Sequence, residues 1–344
     1  METFIGWHKF CVKLHMDFKS LPKIELHLHL DCSLSYEVVS QLEPSVTRAE
    51  YEASYIAPAK CYNLAEYLTY AIASIRLMQT KEQLKLVTKD LFRQLKEDQV
   101  IYAEMRFAPL QHLDQGLQPE EVVRAVDEAV EEGIKETGIE VRVILCTLRH
   151  YSEAQSLQTV KLVEQFKGTR VVGLDIAADE AGYPIDNHIS AFQYAATKDL
   201  HCTAHAGEAR GADSVWETLE HFGPSRIGHG VRSHEDEKLV AHLKEKGIHL
   251  ECCPTSNVQI NVFDTYPDHP IDQFYQKGLS VSVNTDGRTL SNVALLNEYQ
   301  VLHQHFNWTK DHFLQCNLNA VNAAFIPEVL KAKLRKQLEE AYAK

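Results

Sequence analysis

The sequence predicts an α/β fold: a single (β/α)8 TIM-type barrel with extra helices between the first and second strands and at the C-terminus. Three observations lead there. Eight short apolar segments alternate with longer amphipathic ones from Ile24 onward. The short segments are nearly continuous in apolar character, as strands covered on both faces are. No internal repeat and no Pro/Gly/Ser-rich linker divides the 344 residues, and barrels of this length often stand as one domain.

The first strand is expected at Ile24–Leu30 (IELHLHL). A helical insertion follows over about 35–98, larger than a plain strand-to-helix connection. Its second half reads as two helices, NLAEYLTYAIASIRLM and KEQLKLVTKDLFRQLKE, within Asn63–Glu97. Strands two to four are expected at Val100–Phe107, Val141–Leu148 and Val171–Ile176. The last four are expected at Cys202–His205, Arg226–His229, Ile248–Cys252 and Ser280–Asn284. Pro119–Thr137 reads as a helix, with proline at its start and acids in its first turn. His234–Lys246 and Asp311–Ala343 also carry helical spacing. Residues 1–20 read as an appended arm and 21–344 as the barrel. The alternative is an open doubly wound sheet. No G-x-G-x-x-G follows any strand and no Walker A lysine loop is present, so that alternative lacks its main signature.

Composition narrows the function. Asp and Glu outnumber Lys and Arg 48 to 35, a formal net charge of −13. Affinity for nucleic acid comes mostly from Lys and Arg on phosphates, which this balance opposes. No apolar run reaches the roughly eighteen residues of a membrane-spanning helix. The stretch METFIGWHKFCVKLHMDFK is interrupted by His8, Lys9, Lys13 and Asp17 and lacks the apolar core of a secretion signal. Eight cysteines show neither C-x-x-C nor framework spacing, which fits reduced thiols. The expectation is a cytoplasmic protein with a small-molecule partner, no nucleic acid and no membrane. Eighteen histidines stand out, because imidazole is the commonest metal ligand and acid/base group.

The histidines acquire meaning from position. His27 and His29 lie two apart on the first strand, so they share a face. His205 ends T-A-H-A-G-E, with Glu208 three residues on. His229 ends R-I-G-H-G, and Asp286 follows S-V-S-V-N-T-D. Each sits at a strand's C-terminal end, where barrel enzymes keep their active sites. Taken singly, each has a plain reading as a capping or core residue. Together, three imidazoles and a carboxylate make a nitrogen/oxygen set suited to Zn²⁺. Zinc can lower a water's pKa to about 7. The remaining His229 and Glu208 would serve proton transfer. The fourth strand, VVGLDIAADE, has no Lys to bridge two metals, so one ion is expected. H-E-x-x-H and the H-x-E with P-C-x-x-C pattern are absent.

At this point the chain resembles the adenosine deaminase family. The carrying segments are P-K-I-E-L-H-L-H-L-D (22–31), T-A-H-A-G-E (203–208), R-I-G-H-G (226–230), C-P-T-S-N (253–257) and N-T-D (284–286). Y-A-E-M-R-F-A-P (102–109) and L-R-H (148–150) are similar too. The resemblance implies one zinc ion per chain on His27, His29, His205 and Asp286. It implies that Glu208 protonates purine N1 while an activated water, oriented and deprotonated by His229, adds at C6. Ammonia then leaves. Asp31 matches the residue that receives the ribose 5′-hydroxyl, which favours a nucleoside over a free base or monophosphate. Leu64, Tyr67 and Leu68 resemble an apolar lid over the purine, although the same spacing also suits an ordinary helix packed on the barrel.

Three positions depart from the family pattern. Gly287 stands where many members carry a second Asp that contacts purine N7. Cys32 replaces a usual Gly and puts a thiol near the pocket mouth, where a steric or neutral role is favoured over a catalytic one. Ala178 replaces a usual Gly whose N–H faces the base, and would be strained if that position needs φ > 0. The resulting expectation is hydrolytic deamination of adenosine and 2′-deoxyadenosine in purine salvage. The alternatives are a deaminase of a modified adenine nucleoside such as 5′-methylthioadenosine, and a non-catalytic nucleoside-binding or signalling relative.

Overall fold

A computed structural model describes residues 17–344. Its eight strands stand side by side in chain order, every adjacent pair parallel. They are β1 Lys23–His29, β2 Val100–Phe107, β3 Glu140–Leu148, β4 Val171–Ala177, β5 His201–Ala206, β6 Arg226–His229, β7 His249–Cys252 and β8 Val281–Val283. Between β1 and β2 lie α1 Tyr36–Leu42, α2 Arg48–Ser54, α3 Leu64–Thr69, α4 Ala71–Arg76 and α5 Lys81–Glu97. One helix follows each of β2 to β6: α6 Pro119–Thr137, α7 Glu153–Gln165, α8 Ile189–Thr197, α9 Ala212–Phe222 and α10 Glu237–Lys246. α11 Pro254–Gln259 and α12 Ile271–Gln276 follow β7. After β8 come α13 Leu295–Phe306, α14 Lys310–Ala323 and α15 Glu328–Tyr342. This is the TIM-type barrel with helices on its outside.

Local chemistry sets several boundaries differently from the sequence pattern. Asn63–Met78 is two short helices, not one. Its side-chain cap from Asn63 starts α3, and the turn tightens at Tyr70, whose N–H bonds Tyr67 O at 3.2 Å. Asp311–Ala343 is also two helices. Pro327 lacks an N–H and disfavours helical geometry before it, so α14 ends at Ala323. The break frees Phe325 N–H to donate to Glu104 Oε1 at 2.6 Å. α10 begins at Glu237 instead of His234, because Asp236 caps Lys238 N–H. Most of the expected arm, residues 1–16, lies outside the described residues. Phe18 is buried edge-on against Phe313, 5.1 Å between ring centroids.

The barrel closes between β1 and β8. Leu28 and Asp286 form a parallel bridge. His29 N–H donates to Asp286 O at 2.8 Å and Asp286 N–H to His27 O at 3.0 Å. Below this, buried Asn284 accepts from Leu26 N–H and His27 N–H and donates to Cys252 O and Ser282 Oγ. One side chain thus joins β1, β7 and β8 with its amide fully used. The closure brings His27 and His29 against the residue that follows β8.

Asn284→Ala should therefore orphan two buried N–H groups and cost about 2–4 kcal/mol in denaturant unfolding. A loss under about 0.5 kcal/mol, the range of a neutral surface change, would contradict the clamp.

Candidate active site

The strand ends converge as the barrel dictates. His27, His205, His229 and Asp286 each offer an atom within 4.8 Å of all the others, and all four are buried. His29 joins them, its Nε2 lying 3.2 Å from His205 Nε2 and 3.4 Å from Asp286 Oδ1. His27 Nε2 is 3.5 Å from the same oxygen. Gly228 leaves room for this packing: a Cβ there would stand 3.0 Å from His27 Cε1.

The outer ring nitrogens are held by carboxylates. His27 Nδ1 lies 2.8 Å from Glu251 Oε2, and His205 Nδ1 lies 3.0 Å from Asp175 Oδ2. Arg106 bridges the two acids, with Nη1 2.7 Å from Asp175 and Nη2 2.7 Å from Glu251. Arg226 Nε adds a contact of 2.8 Å to Glu251. Burial opposes ionisation of Glu251, but Arg106 and Arg226 hold it well below the usual carboxylate range. Burial likewise opposes ionisation of Asp175, and His205 and Arg106 bring it below its usual value. A carboxylate on the far ring nitrogen fixes which nitrogen faces inward, as it does for metal-binding histidines. His27 Nε2, buried and aimed inward, has no hydrogen-bond partner. The donor set, the backing and this orphaned atom fit a divalent ion of the zinc type.

Glu208 lies beside the group, its Oε1 3.3 Å from His229 Nε2. Burial first, then Asp286 and Glu180, pushes its carboxyl well above the usual range. A chain of hydrogen bonds sets the tautomer of His229. Ile271 N–H donates to His269 Nδ1 at 3.2 Å, which leaves the proton of the neutral ring on Nε2. That Nε2–H meets Asn257 Oδ1 at 3.2 Å, so Asn257 Nδ2 faces His229 Nδ1 at 3.1 Å. His229 Nδ1 accepts, and in the neutral ring the hydrogen is on Nε2. Burial, with His27 adding, keeps this ring well below its ordinary pKa. The resemblance implied that His229 takes a proton from water. In this tautomer the neutral ring presents Nε2–H toward Glu208 Oε1.

An inner chamber of about 40 Å³ is lined by His29, His205, Glu208, His229 and Asp286, with Cys32, Gly287, Ala178 and Leu64, Tyr67 and Leu68 of α3. It shares His29, Cys32, Leu68, Ala177 and Ala178 with an outer cavity of about 350 Å³, where Asp31 and His150 lie. Asp31 is buried, accepts from Ala108 N–H at 3.3 Å, and is pushed by burial up to about 6.

The three departures now have physical accounts. A Cβ on Gly287 would stand 3.0 Å from Tyr67 Oη and 3.1 Å from Cys32 Cβ. Cys32 and Tyr67 thus occupy the space a side chain at 287 would need, and Tyr67 Oη is tied to Ser291 Oγ at 2.9 Å. Burial, then Asp31 and Asp286, pushes the Cys32 thiol well up, towards its neutral form. Ala178 adopts φ +79, so the strain expected of a left-handed position is present. His229 at φ +59 and Asp286 at φ +64 share that conformation. Strained backbone gathers at functional sites, where surrounding bonds enforce it.

Sequence reading missed Arg106, Asp175, Glu180, Glu251 and Asn257. A signal existed for two of them. Asp175 and Glu251 are single acids inside strands otherwise apolar enough to be covered on both faces, and such a residue must find a buried partner.

Comparisons with known proteins agree with this geometry. The sequence model of the adenosine deaminase family matches residues 22–341. An adenosine deaminase of Clostridium acetobutylicum is 35% identical over 327 residues, covering 93% of this chain and 98% of the relative. The crystal structure of an adenine deaminase from Arthrobacter aurescens superposes with a TM-score of 0.87 at 25% identity, over 94% of this chain and 100% of that one. A zinc-bound amidohydrolase from Burkholderia ambifaria superposes with a TM-score of 0.86 at 23% identity, over 94% and 91%.

Two outcomes follow. Asp175→Asn should weaken metal affinity by about 10–100-fold in chelator competition; unchanged affinity would remove the backing role. Ala178→Gly should relieve strain of about 1–2 kcal/mol against a chain-entropy cost of about 0.5–1 kcal/mol. The variant should unfold at equal or higher denaturant, and a clear loss of stability would contradict the strain.

Proposed function

The chain belongs to the adenosine deaminase family, and on that footing we propose that it hydrolyses adenosine and 2′-deoxyadenosine to the inosine nucleosides and ammonia, a step of purine salvage. The observation that carries this reading is the junction of two sets in one chamber. An inward-facing His/Asp group suited to zinc meets a buried carboxyl, Glu208, whose pKa burial raises well above the usual carboxylate range.

We assign the ion to His27, His29, His205 and Asp286, because His229 is already engaged by Asn257 and Glu208. When bound, zinc supplies a water acidic enough to attack near neutral pH. His229 orients that water. Glu208 gives its proton to purine N1, which makes C6 electrophilic. The hydroxyl adds at C6 and the C6–N6 bond breaks. The two protons of the water restore Glu208 and complete the ammonia, so the atoms balance. Leu64, Tyr67 and Leu68 cover the base and exclude bulk water. Asp31, out in the larger cavity, receives the ribose 5′-hydroxyl, and its carboxylate disfavours a 5′-phosphate. The adenosine-acting relative at 35% identity supports a nucleoside substrate.

A second reading has one observation in its favour. The outer cavity around Asp31 is walled by Leu68, Ala71, Ile72 and Ile75, an apolar surface that suits a 5′-thioether. 5′-Methylthioadenosine therefore belongs in the substrate panel.

The zinc-loaded protein should release ammonia from adenosine and convert its ultraviolet spectrum to that of inosine. No conversion would sink the proposal. A higher kcat/KM for 5′-methylthioadenosine than for adenosine would replace it with the second reading. Glu208→Gln should retain zinc and lose about 10²–10⁴-fold in kcat, and full activity would refute the proton-donor role.

A further inference from the structure

Glu180 is a buried acid with an unusual set of partners. It follows β4 in D-I-A-A-D-E and is 1% exposed. Its Oε1 accepts from Gly207 N–H at 2.7 Å and from Ser214 Oγ at 2.5 Å. Its Oε2 accepts from Glu208 N–H at 3.0 Å, Ala209 N–H at 2.6 Å and Arg210 N–H at 2.9 Å. Four consecutive amides of the β5–α9 loop thus converge on one carboxylate, in the manner of a backbone anion nest. Here the anion belongs to the protein itself.

The loop so captured is the one that carries Glu208. The Glu208 carboxyl has little of its own to hold it: His229 Nε2 is at 3.3 Å and Asn257 Nδ2 at 3.5 Å. Its position therefore descends from its backbone, and its backbone from Glu180. Arg149 completes the arrangement. Buried at the end of β3, it donates from Nη2 to His205 O at 2.8 Å, and Nη2 lies 3.8 Å from Glu180 Oε1. Its own N–H bonds Ala177 O at 2.9 Å. The ends of β3, β4 and β5 are thereby joined around the segment from His205 to Glu208.

We infer that Glu180 is a positioning residue for the reaction: with Arg149 it clamps the 207–210 loop so that Glu208 meets the base at N1. The inference rests on the reading of Glu208 as proton donor. A misplacement of about 1 Å can cost on the order of 100-fold in rate, so the clamp bears on kcat, not on affinity.

The test is a double-mutant cycle on the zinc-loaded protein. In Glu180→Gln the amide cannot accept at both ends, so part of the nest must open. This variant should keep one zinc per chain and a KM within about threefold of wild type, while kcat falls by about 10–100-fold. Placed on Glu208→Gln, the same change should alter the residual rate by less than about threefold, because its effect passes through Glu208. A folded Glu180→Gln with kcat within about twofold of wild type overturns the inference. So does an equal loss in both backgrounds. An active Glu208→Gln is a different failure, that of the proton-donor reading itself. Should Glu180→Gln not fold, hydrogen exchange on the unaltered protein decides. The amides of 207–210 should exchange as slowly as those of β5, and exchange within seconds overturns the clamp.

Discussion

Arg106 sits wholly inside the barrel with Asp175 on one side and Glu251 on the other. The interior of a (β/α)8 barrel is ordinarily filled by branched apolar side chains. Here β2, β4, β6 and β7 each contribute charge to its middle. Removing such ions from water costs several kcal/mol apiece unless partners are close and well oriented. These are: Glu251 meets two guanidiniums and an imidazole, and Asp175 meets one of each. The arrangement stabilises little for its size. What it supplies is direction. Because both acids occupy outer ring nitrogens, the inner nitrogen of His27 turns to Asp286 and that of His205 to His29, which is the orientation a shared ion would need.

Above this charged layer the strand ends are held in conformations they would not choose alone. Asp286 at φ +64 is enforced by reciprocal backbone bonds with His27 and His29 and by Ser256 Oγ on its Oδ2 at 2.7 Å. His229 at φ +59 is enforced through Asn257 and by Gly230 N–H on Ala206 O. Asp286 and His229 are thus each fixed by a neighbouring strand end or by the loop beyond it. Such cross-bracing is what lets a shallow layer of loops hold side chains to a fraction of an ångström.

Much of the fold could be read from the chain. The eight strands fall within one or two residues of their expected places, because buried parallel strands advertise themselves as continuous apolar runs. Helix interruptions were harder. The break at Ala324 has a local marker in Pro327, but where the freed Phe325 N–H goes depends on Glu104, some 220 positions away in sequence. The tightening at Tyr70 has no local marker of comparable strength. In the site, His27, His29, His205, His229, Glu208 and Asp286 were legible because polar residues at strand ends break an apolar pattern.

The sequence by itself determined the barrel, the alternation of its elements and which histidines and acids stand at the strand ends. It did so because those properties follow from periodicity and residue type, which are local. The tertiary structure alone decided which nitrogen of each ring faces inward, that Glu180 holds the loop of Glu208, that Cys32 and Tyr67 fill the space at Gly287, and that His229 rests as a donor. Each of these depends on a partner from a distant segment, and only closure of the barrel brings such partners within a hydrogen bond's length.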